Sequence, residues 1–274
     1  MKLQAIHIYP VKSLQGGAHD AAQVAPEGLI GDRRFMVIQP SGRFVTRREM
    51  PRMAGVFAQN IAGGVRLIHG DQTHDVMAPI GGPSQLVKIF RDEWPAVDCG
   101  DEAAGFLSQI LGRDLRLVYQ DDPASRAPNA AFSAPGDRVS FADGYPLLAT
   151  SDGSLAALNE ALENPVEMAR FRPNLVISGV APWAEDTWRR IRIGAVEFRV
   201  VKPCERCVIV TQDAASGAQA DPQEPLETLK RLHRNGRGGP CFGQNLIADG
   251  PGQIALGDTV EVLEMGESNL STVA

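Results

Sequence analysis

Glycine and proline interrupt this chain so often, at 28 and 19 of its 274 residues, that the composition favours many short strands joined by turns over long helices. Hydrophobic residues at 43% and charged residues at 22% match ordinary globular chains and rule out a disordered or collagen-like polymer. The length predicts two domains, or one large β-rich one, at roughly 150 residues per domain. It also allows a core that needs no covalent staples.

Hydrophobic period places the elements. Alternation over 2–9 predicts a strand ended by Pro10, and 34–38 followed by a turn at 40–42 and by 43–46 reads as a hairpin. Further strands are expected at 64–69, 85–90 and 115–118, with a helix over 102–111 that stops at Gly112. Residues 120–138 hold three prolines and no apolar run, so they read as a connecting loop. The expected units are therefore 1–119, mostly β with one helix, and 120–274. In the second unit a strand at 145–150 runs into Ser151 and Asp152, good capping residues for a helix carrying Leu155, Leu158 and Leu162 on one face. Strands are then expected at 174–178, 190–193, 197–201, 208–211, 245–248 and 259–263, interrupted by a helix over 225–233 with Pro225 at its first position. The class is mainly β with a few helices (α+β), arranged as closed or partly closed barrels.

Charge narrows the partners. Twenty-seven Lys and Arg against 33 Asp and Glu leave a net charge of -6, which disfavours nucleic acid and anionic membrane as ligands. Any bound anion must meet a local basic cluster. Four cysteines are too few for a disulfide scaffold in a chain this long. Neither a leader-like apolar segment at the start nor a run of about 18 apolar residues is present, so a reducing, cytoplasmic setting with no membrane partner is expected.

Cys204-Glu205-Arg206-Cys207 is the sharpest motif. Such a pair can chelate zinc, form a redox dithiol, or leave one thiolate for a softer metal. The β-branched run 208–211 reads as a strand, whereas a redox dithiol opens a helix. Zinc needs two more ligands, and only His233 and Cys241 follow, too far apart for the usual tight second pair. Two small buried residues at a strand end remain the plainest alternative. Basic residues stand at three neighbouring contexts. Lys12 and Ser13 follow the first strand, where an ammonium, a hydroxyl and free N–H groups suit a phosphate. Arg33 stands beside Asp32, which can orient it for bidentate contact. Arg172 and Asn174 flank Pro173 ahead of an apolar strand. Together they describe a polar, anionic ligand next to a thiolate.

In order along the chain, YPVKS, GDRRF followed by FVTRRE, FRPNLVISG, PCERC and CFGQNL resemble the MOSC-domain proteins. The likeness is to the branch with an N-terminal MOSC-associated β-barrel, which includes the mitochondrial amidoxime-reducing components and bacterial YcbX-like proteins, and it spans residues 2 to about 263. It implies a β-barrel MOSC domain packed on that N-terminal barrel. It also implies a molybdenum cofactor (Mo-molybdopterin), plain or nucleotide-extended, in which a pterin dithiolene and one protein cysteine bind the metal; soft thiolate ligation suits molybdenum. By position Cys207 is the implied metal ligand and catalytic residue, with Glu205 and Arg206 touching the cofactor. Lys12, Ser13, Arg33, Arg172 and Asn174 match positions that hold the pterin and its phosphate. Asp143, Gly144 and Tyr145 fall on a cofactor-contacting turn, and Asn245 stands where relatives carry Tyr. Cys204 is expected to serve packing or to support the site from behind, and Asp213 either relays protons or caps a turn. His233, at a helix end, is expected to make a dipole contact.

The resemblance implies an oxidoreductase that removes oxygen from N-hydroxylated small molecules such as hydroxylamines, amidoximes and N-hydroxylated bases. No second cysteine cluster follows Leu263, so electrons are expected from a separate ferredoxin, flavoprotein or cytochrome. A second reading is a cofactor-binding or sulfur-carrier module with a persulfide on Cys207. A third is a structural protein with zinc on Cys204 and Cys207.

Overall fold

A computed structural model describes residues 1–271; residues 272–274, the end of the expected second unit, lie outside the described residues. The molecule is mainly β with three α-helices among the described residues, an α+β protein. An eight-stranded sheet runs in the order Val260–Met265, Trp188–Ile193, Val196–Glu205, Cys241–Ala248, Leu147–Ser151, Leu175–Ser178, Lys2–Ile8, Gly17–His19. Its pairs are antiparallel except Leu147–Ser151 with Leu175–Ser178, which the helix Asp152–Glu160 connects, as a parallel pair requires a crossover. Ser151 caps that helix by accepting from Ser154 N at 3.1 Å, as expected from its position. Inward residues Leu3, Ile6, Leu175, Ile177, Phe198 and Leu246 share the core of this sheet; Leu175 and Ile177 keep the period of two, while a register shift after Leu3 moves the inward face of the first strand to Ile6 and Ile8.

A second body contains the four-stranded sheet Phe35–Ile38, Arg116–Tyr119, Asp92–Asp98, Ser84–Ile89 and the three-stranded sheet Phe57–Ile61, Gly64–His69, Gln72–Met77. Around Val37, Leu67 and Leu117 it closes with the helix Asp101–Leu111, which contributes Ala103, Leu107 and Leu111. Gly112 ends that helix at φ 63°, where its N–H reaches Ser108 O; glycine takes this left-handed cap without steric cost. The sheets also join distant parts of the chain. Lys2–Ile8 pairs with Leu175–Ser178, and Ala21–Ala25 pairs with Gly252–Ala255.

Three expectations need correction. Residues 208–211 form a 3-10 turn, Val208–Thr211, not a strand: Val210 N donates to Cys207 O at 3.1 Å, and Val210 joins Leu229 and Phe242 in an apolar cluster. Burial of Val210 and Thr211 outweighs the β preference of the branched side chains. The 34–46 hairpin forms, with Gly42 N on Gln39 O at 2.9 Å, Gln39 N on Arg43 O at 2.8 Å and Val45 N on Val37 O at 2.8 Å, but its second arm makes an isolated bridge, Ile38 to Phe44, and is no continuous strand. Arg43 also bridges to Lys88. The helix expected over 225–233 is Leu226–Leu232, with Pro225 as its cap.

Candidate active site

Strand ends from both bodies meet around a cavity of about 360 Å³. Lys12 and Ser13 follow the first strand, Arg33 precedes Phe35–Ile38, and Arg172 and Asn174 precede Leu175–Ser178. Glu205 ends Val196–Glu205, with Arg206 and Cys207 just beyond it, while Asn245 lies within Cys241–Ala248. Asp143, Gly144 and Tyr145 come from the segment before Leu147–Ser151. All twelve residues singled out in the sequence line this one cavity.

The backbone here is held in uncommon conformations. Among the described residues, five non-glycine residues have left-handed φ, and three of them, Ser13 (68°), Arg33 (50°) and Arg172 (53°), line the cavity. Such residues cost about 1 kcal/mol or more each and persist where surrounding contacts over-determine them. Arg33 shows those contacts. Its N–H donates to Tyr9 O at 2.8 Å, and its guanidinium donates to Asp32 Oδ2 at 2.5 Å, Asn174 Oδ1 at 3.1 Å and Arg172 O at 3.3 Å. Asp32 in turn accepts from Tyr9 N at 2.8 Å. Asn174 is fully engaged inside the protein, its Nδ2 on His7 O at 3.1 Å and its Oδ1 also accepting from Leu148 N at 3.2 Å.

Arg33 and Arg172 both stand over the Tyr9 ring, 4.7 and 4.3 Å from its centroid, a favourable cation–π arrangement. Among the described residues the Arg172 guanidinium has no hydrogen-bond or ion-pair partner. Burial, reinforced by Arg33 and Arg47 against the opposing pull of Tyr9, pushes its pKa down to about 9, so it stays charged at neutral pH. Arg206 donates to Phe171 O at 2.7 Å and to Cys204 Sγ at 2.9 Å, and its Nε is buried without a partner. Glu205 accepts from Asn235 at 3.0 Å, and Asn245 Nδ2 donates to Lys202 O at 3.1 Å.

Lys12 is buried, donates to Phe141 O at 2.8 Å and pairs with Asp143. Burial pulls the Lys12 pKa below its ordinary value despite Asp143. For Asp143 burial acts upward, but Lys12, Arg48 and Arg33 outweigh it and hold the carboxylate well below the usual range. The turn that carries Asp143 rests on buried Arg126, which donates to the carbonyls of Ser140, Ala142 and Asp143. Nothing in the loop sequence marked Arg126.

Arg48 is the principal functional residue that the sequence reading left out of its site, although it stands in the quoted FVTRRE. It lines the cavity together with Cys207 and reaches Asp143 Oδ2 at 3.3 Å. Thr46 and Lys202 also line the wall. Six cationic side chains, from Lys12, Arg33, Arg48, Arg172, Lys202 and Arg206, thus face two carboxylates, Asp143 and Glu205. A chain of net charge -6 has gathered its cations where the thiols of Cys204 and Cys207 line one cavity.

The other candidates separate cleanly. Asp213 caps its turn, accepting from Ala215 N, Ser216 N and Ser216 Oγ at 2.7–3.1 Å. His233 makes no mere dipole contact: it bonds Asp186 at 2.6 Å and Cys241 O at 2.9 Å. Among the described residues no group of three or more His, Cys, Asp or Glu side chains is placed to hold a metal ion. Cys99 and Cys241 have their thiol pKa values pushed up to about 12, burial being the main cause. Among the described residues no helix is long and apolar enough to cross a membrane.

Residues 136–261 match the family model of the MOSC domain, and residues 1–114 match that of the MOSC N-terminal beta barrel domain. The chain is 34% identical over 276 residues to mitochondrial amidoxime-reducing component 1 of Homo sapiens, covering 93% of this chain and 81% of that protein. Against the Mus musculus protein of the same name it is 34% identical over 275 residues, covering 93% and 80%. Mitochondrial amidoxime reducing component 2 of Bos taurus is 32% identical over 282 residues, covering 92% and 80%.

Proposed function

The chain belongs to the family of MOSC-domain proteins with an N-terminal MOSC β-barrel domain, and from that membership we propose that it is a molybdenum-cofactor-dependent oxidoreductase acting on N-hydroxylated small molecules. The observation that carries this reading is a wall of six cations around two thiols, Cys204, which Arg206 already engages, and Cys207. That donor set fits the group. A thiolate suits molybdenum, while the unpaired Arg172 guanidinium and the orphaned Arg206 Nε suit an anionic, phosphate-bearing ligand.

Cys207 would be the ligand to the metal, with Arg48 in the same cavity wall. Lys12, Ser13, Arg33 and Arg172 hold the pterin and its phosphate, Arg33 being preset by Asp32 and Asn174. Asp143, Gly144, Tyr145, Glu205, Arg206 and Asn245, which line the same cavity, would contact the cofactor. Asp143 stays ionised and fixes Lys12 and Arg48 instead of giving a proton. When bound, the cofactor supplies the two-electron couple that reduces hydroxylamines, amidoximes or N-hydroxylated bases, the oxygen leaving as water. Electrons come from a separate ferredoxin, flavoprotein or cytochrome. Four free thiols suit a reducing compartment, proposed as the cytoplasm, and the two units are proposed to divide at 119/120.

The test is elemental analysis with pterin fluorescence on protein from a host that makes the cofactor, followed by amidoxime reduction with an artificial donor. Molybdenum near one per chain and turnover are expected. Both are lost in Cys207→Ser with the circular dichroism spectrum kept, and most turnover survives in Cys204→Ser. Zinc in place of molybdenum, or full activity in folded Cys207→Ser, overturns the reading.

A further inference from the structure

Arg48 has a neighbour that the proposed chemistry does not use. The strands Ser84–Ile89 and Asp92–Asp98 are joined by Phe90 and Arg91, since Ile89 pairs directly with Asp92. Phe90 takes φ 57°, the first central position of a two-residue hairpin loop, where glycine is the relaxed choice. Its ring is 53% exposed. A large apolar side chain is thus held in strained backbone at a solvent-facing tip, where a small residue folds more easily.

The tip stands beside the cavity. The Arg48 guanidinium lies 5.5 Å from the Phe90 ring centroid, and the same guanidinium reaches Asp143 and lines the cavity with Cys207. Asp143 has a side chain 59% exposed, so the Arg48–Asp143 pair marks the mouth. Phe44 meets Phe90 edge-on, 5.2 Å between centroids at 65°, and Lys12 Nζ lies 5.9 Å from the Phe44 ring. Two aromatic rings therefore form a shelf from the buried wall at Lys12 out to the hairpin tip.

We propose that Phe90 is a specificity-determining residue whose exposed ring stacks on the planar arm of an aryl or heteroaryl N-hydroxylated substrate while the N-hydroxyl end enters beside Cys207. The inference rests on the reductase reading. A flat conjugated arm leaving a polar cavity meets an apolar, rigid ring, and the release of water from two apolar faces favours the stack. A substrate with no such arm gains nothing from it. Arg48, already over the Phe90 ring, keeps the ring near the mouth.

The experiment compares benzamidoxime with hydroxylamine, using a small-molecule reductant so that donor docking plays no part. In Phe90→Ala the ratio of kcat/KM for benzamidoxime to that for hydroxylamine falls about three- to tenfold, the range that one aromatic stack supports. The loss falls on the KM of benzamidoxime, and Phe90→Trp restores it. An unaltered ratio, or an equal loss for both substrates, overturns the role of Phe90. If the wild-type protein loaded with molybdenum reduces neither compound, the reductase reading itself fails and this inference falls with it.

Discussion

Arg47 and Gln212 bond to each other in both directions: Arg47 Nε donates to Gln212 Oε1 at 3.2 Å, and Gln212 Nε2 donates to Arg47 O at 2.9 Å. Both are almost fully buried, at 2% and 1% exposure. The same guanidinium donates to Asp213 O at 2.8 Å and Ala214 O at 3.3 Å. Gln15 adds a bond to Ala215 O at 2.9 Å. The segment just after the Cys207 turn is thereby tied to the body that supplies Arg48.

Arg47→Ala leaves Gln212 and two carbonyls without their donor, so a loss of about 2–4 kcal/mol is expected in urea unfolding, the range for buried bonds to a charged group. Gln212→Ala is expected to lose about 1–2 kcal/mol. A double-mutant cycle should return a coupling of about 1 kcal/mol. Strict additivity of the two losses shows that the pair does not act as a unit.

Ser13→Gly removes the side chain from a left-handed residue at φ 68°. Relief of roughly 1–2 kcal/mol of backbone strain exceeds the added freedom of the unfolded chain, roughly 0.5–1 kcal/mol. Melting is expected to rise by about 1–4 °C, while retained molybdenum falls because the hydroxyl is lost from the phosphate wall. A fall in melting temperature contradicts the strain argument.

The His233–Asp186 pair makes stability depend on pH. Burial works against the imidazolium, but the Asp186 hydrogen bond and charge, the Cys241 carbonyl and Glu185 outweigh it and raise the His233 pKa above its ordinary value. Trp183 covers the ring, 4.1 Å between centroids. A raised folded-state pKa means that this contribution is fully present below about pH 6.5 and is lost as pH rises through the folded value. The difference in unfolding free energy between the wild type and Asp186→Asn should therefore shrink from pH 5 to pH 9. A constant difference removes His233 as its source.

Much of the site was legible because its residues stand at strand ends inside short contiguous words. Lys12 and Ser13 follow a Pro-terminated strand, Arg172 and Asn174 flank a proline, and Glu205 to Cys207 are consecutive. Arg48 was not placed there because its function depends on the turn after Phe35–Ile38 folding back toward Cys207, a contact that no spacing encodes. Arg126 was missed for a related reason, since its acceptors are backbone carbonyls of no particular residue type. The 3-10 turn Val208–Thr211 shows the limit of propensity. Four residues with good strand statistics bend because Val210 and Thr211 are buried while Cys207 stays at the cavity.

The first strand also sets the order in which the molecule can be made. Lys2 pairs with Ser178, 176 positions later, so on a ribosome adding roughly 5–20 residues per second the strand waits on the order of 10–35 s for that neighbour. Its other neighbour, Gly17–His19, arrives almost at once but is only three residues long. For most of synthesis the apolar row Leu3, Ile6, Ile8 has an open edge, the kind of surface that recruits chaperones or stray strands. The first strand can therefore pair only once the chain has passed Ser178, and separately produced halves cut at 119/120 would leave Leu175–Ser178 with only Leu147–Ser151 of its two partner strands.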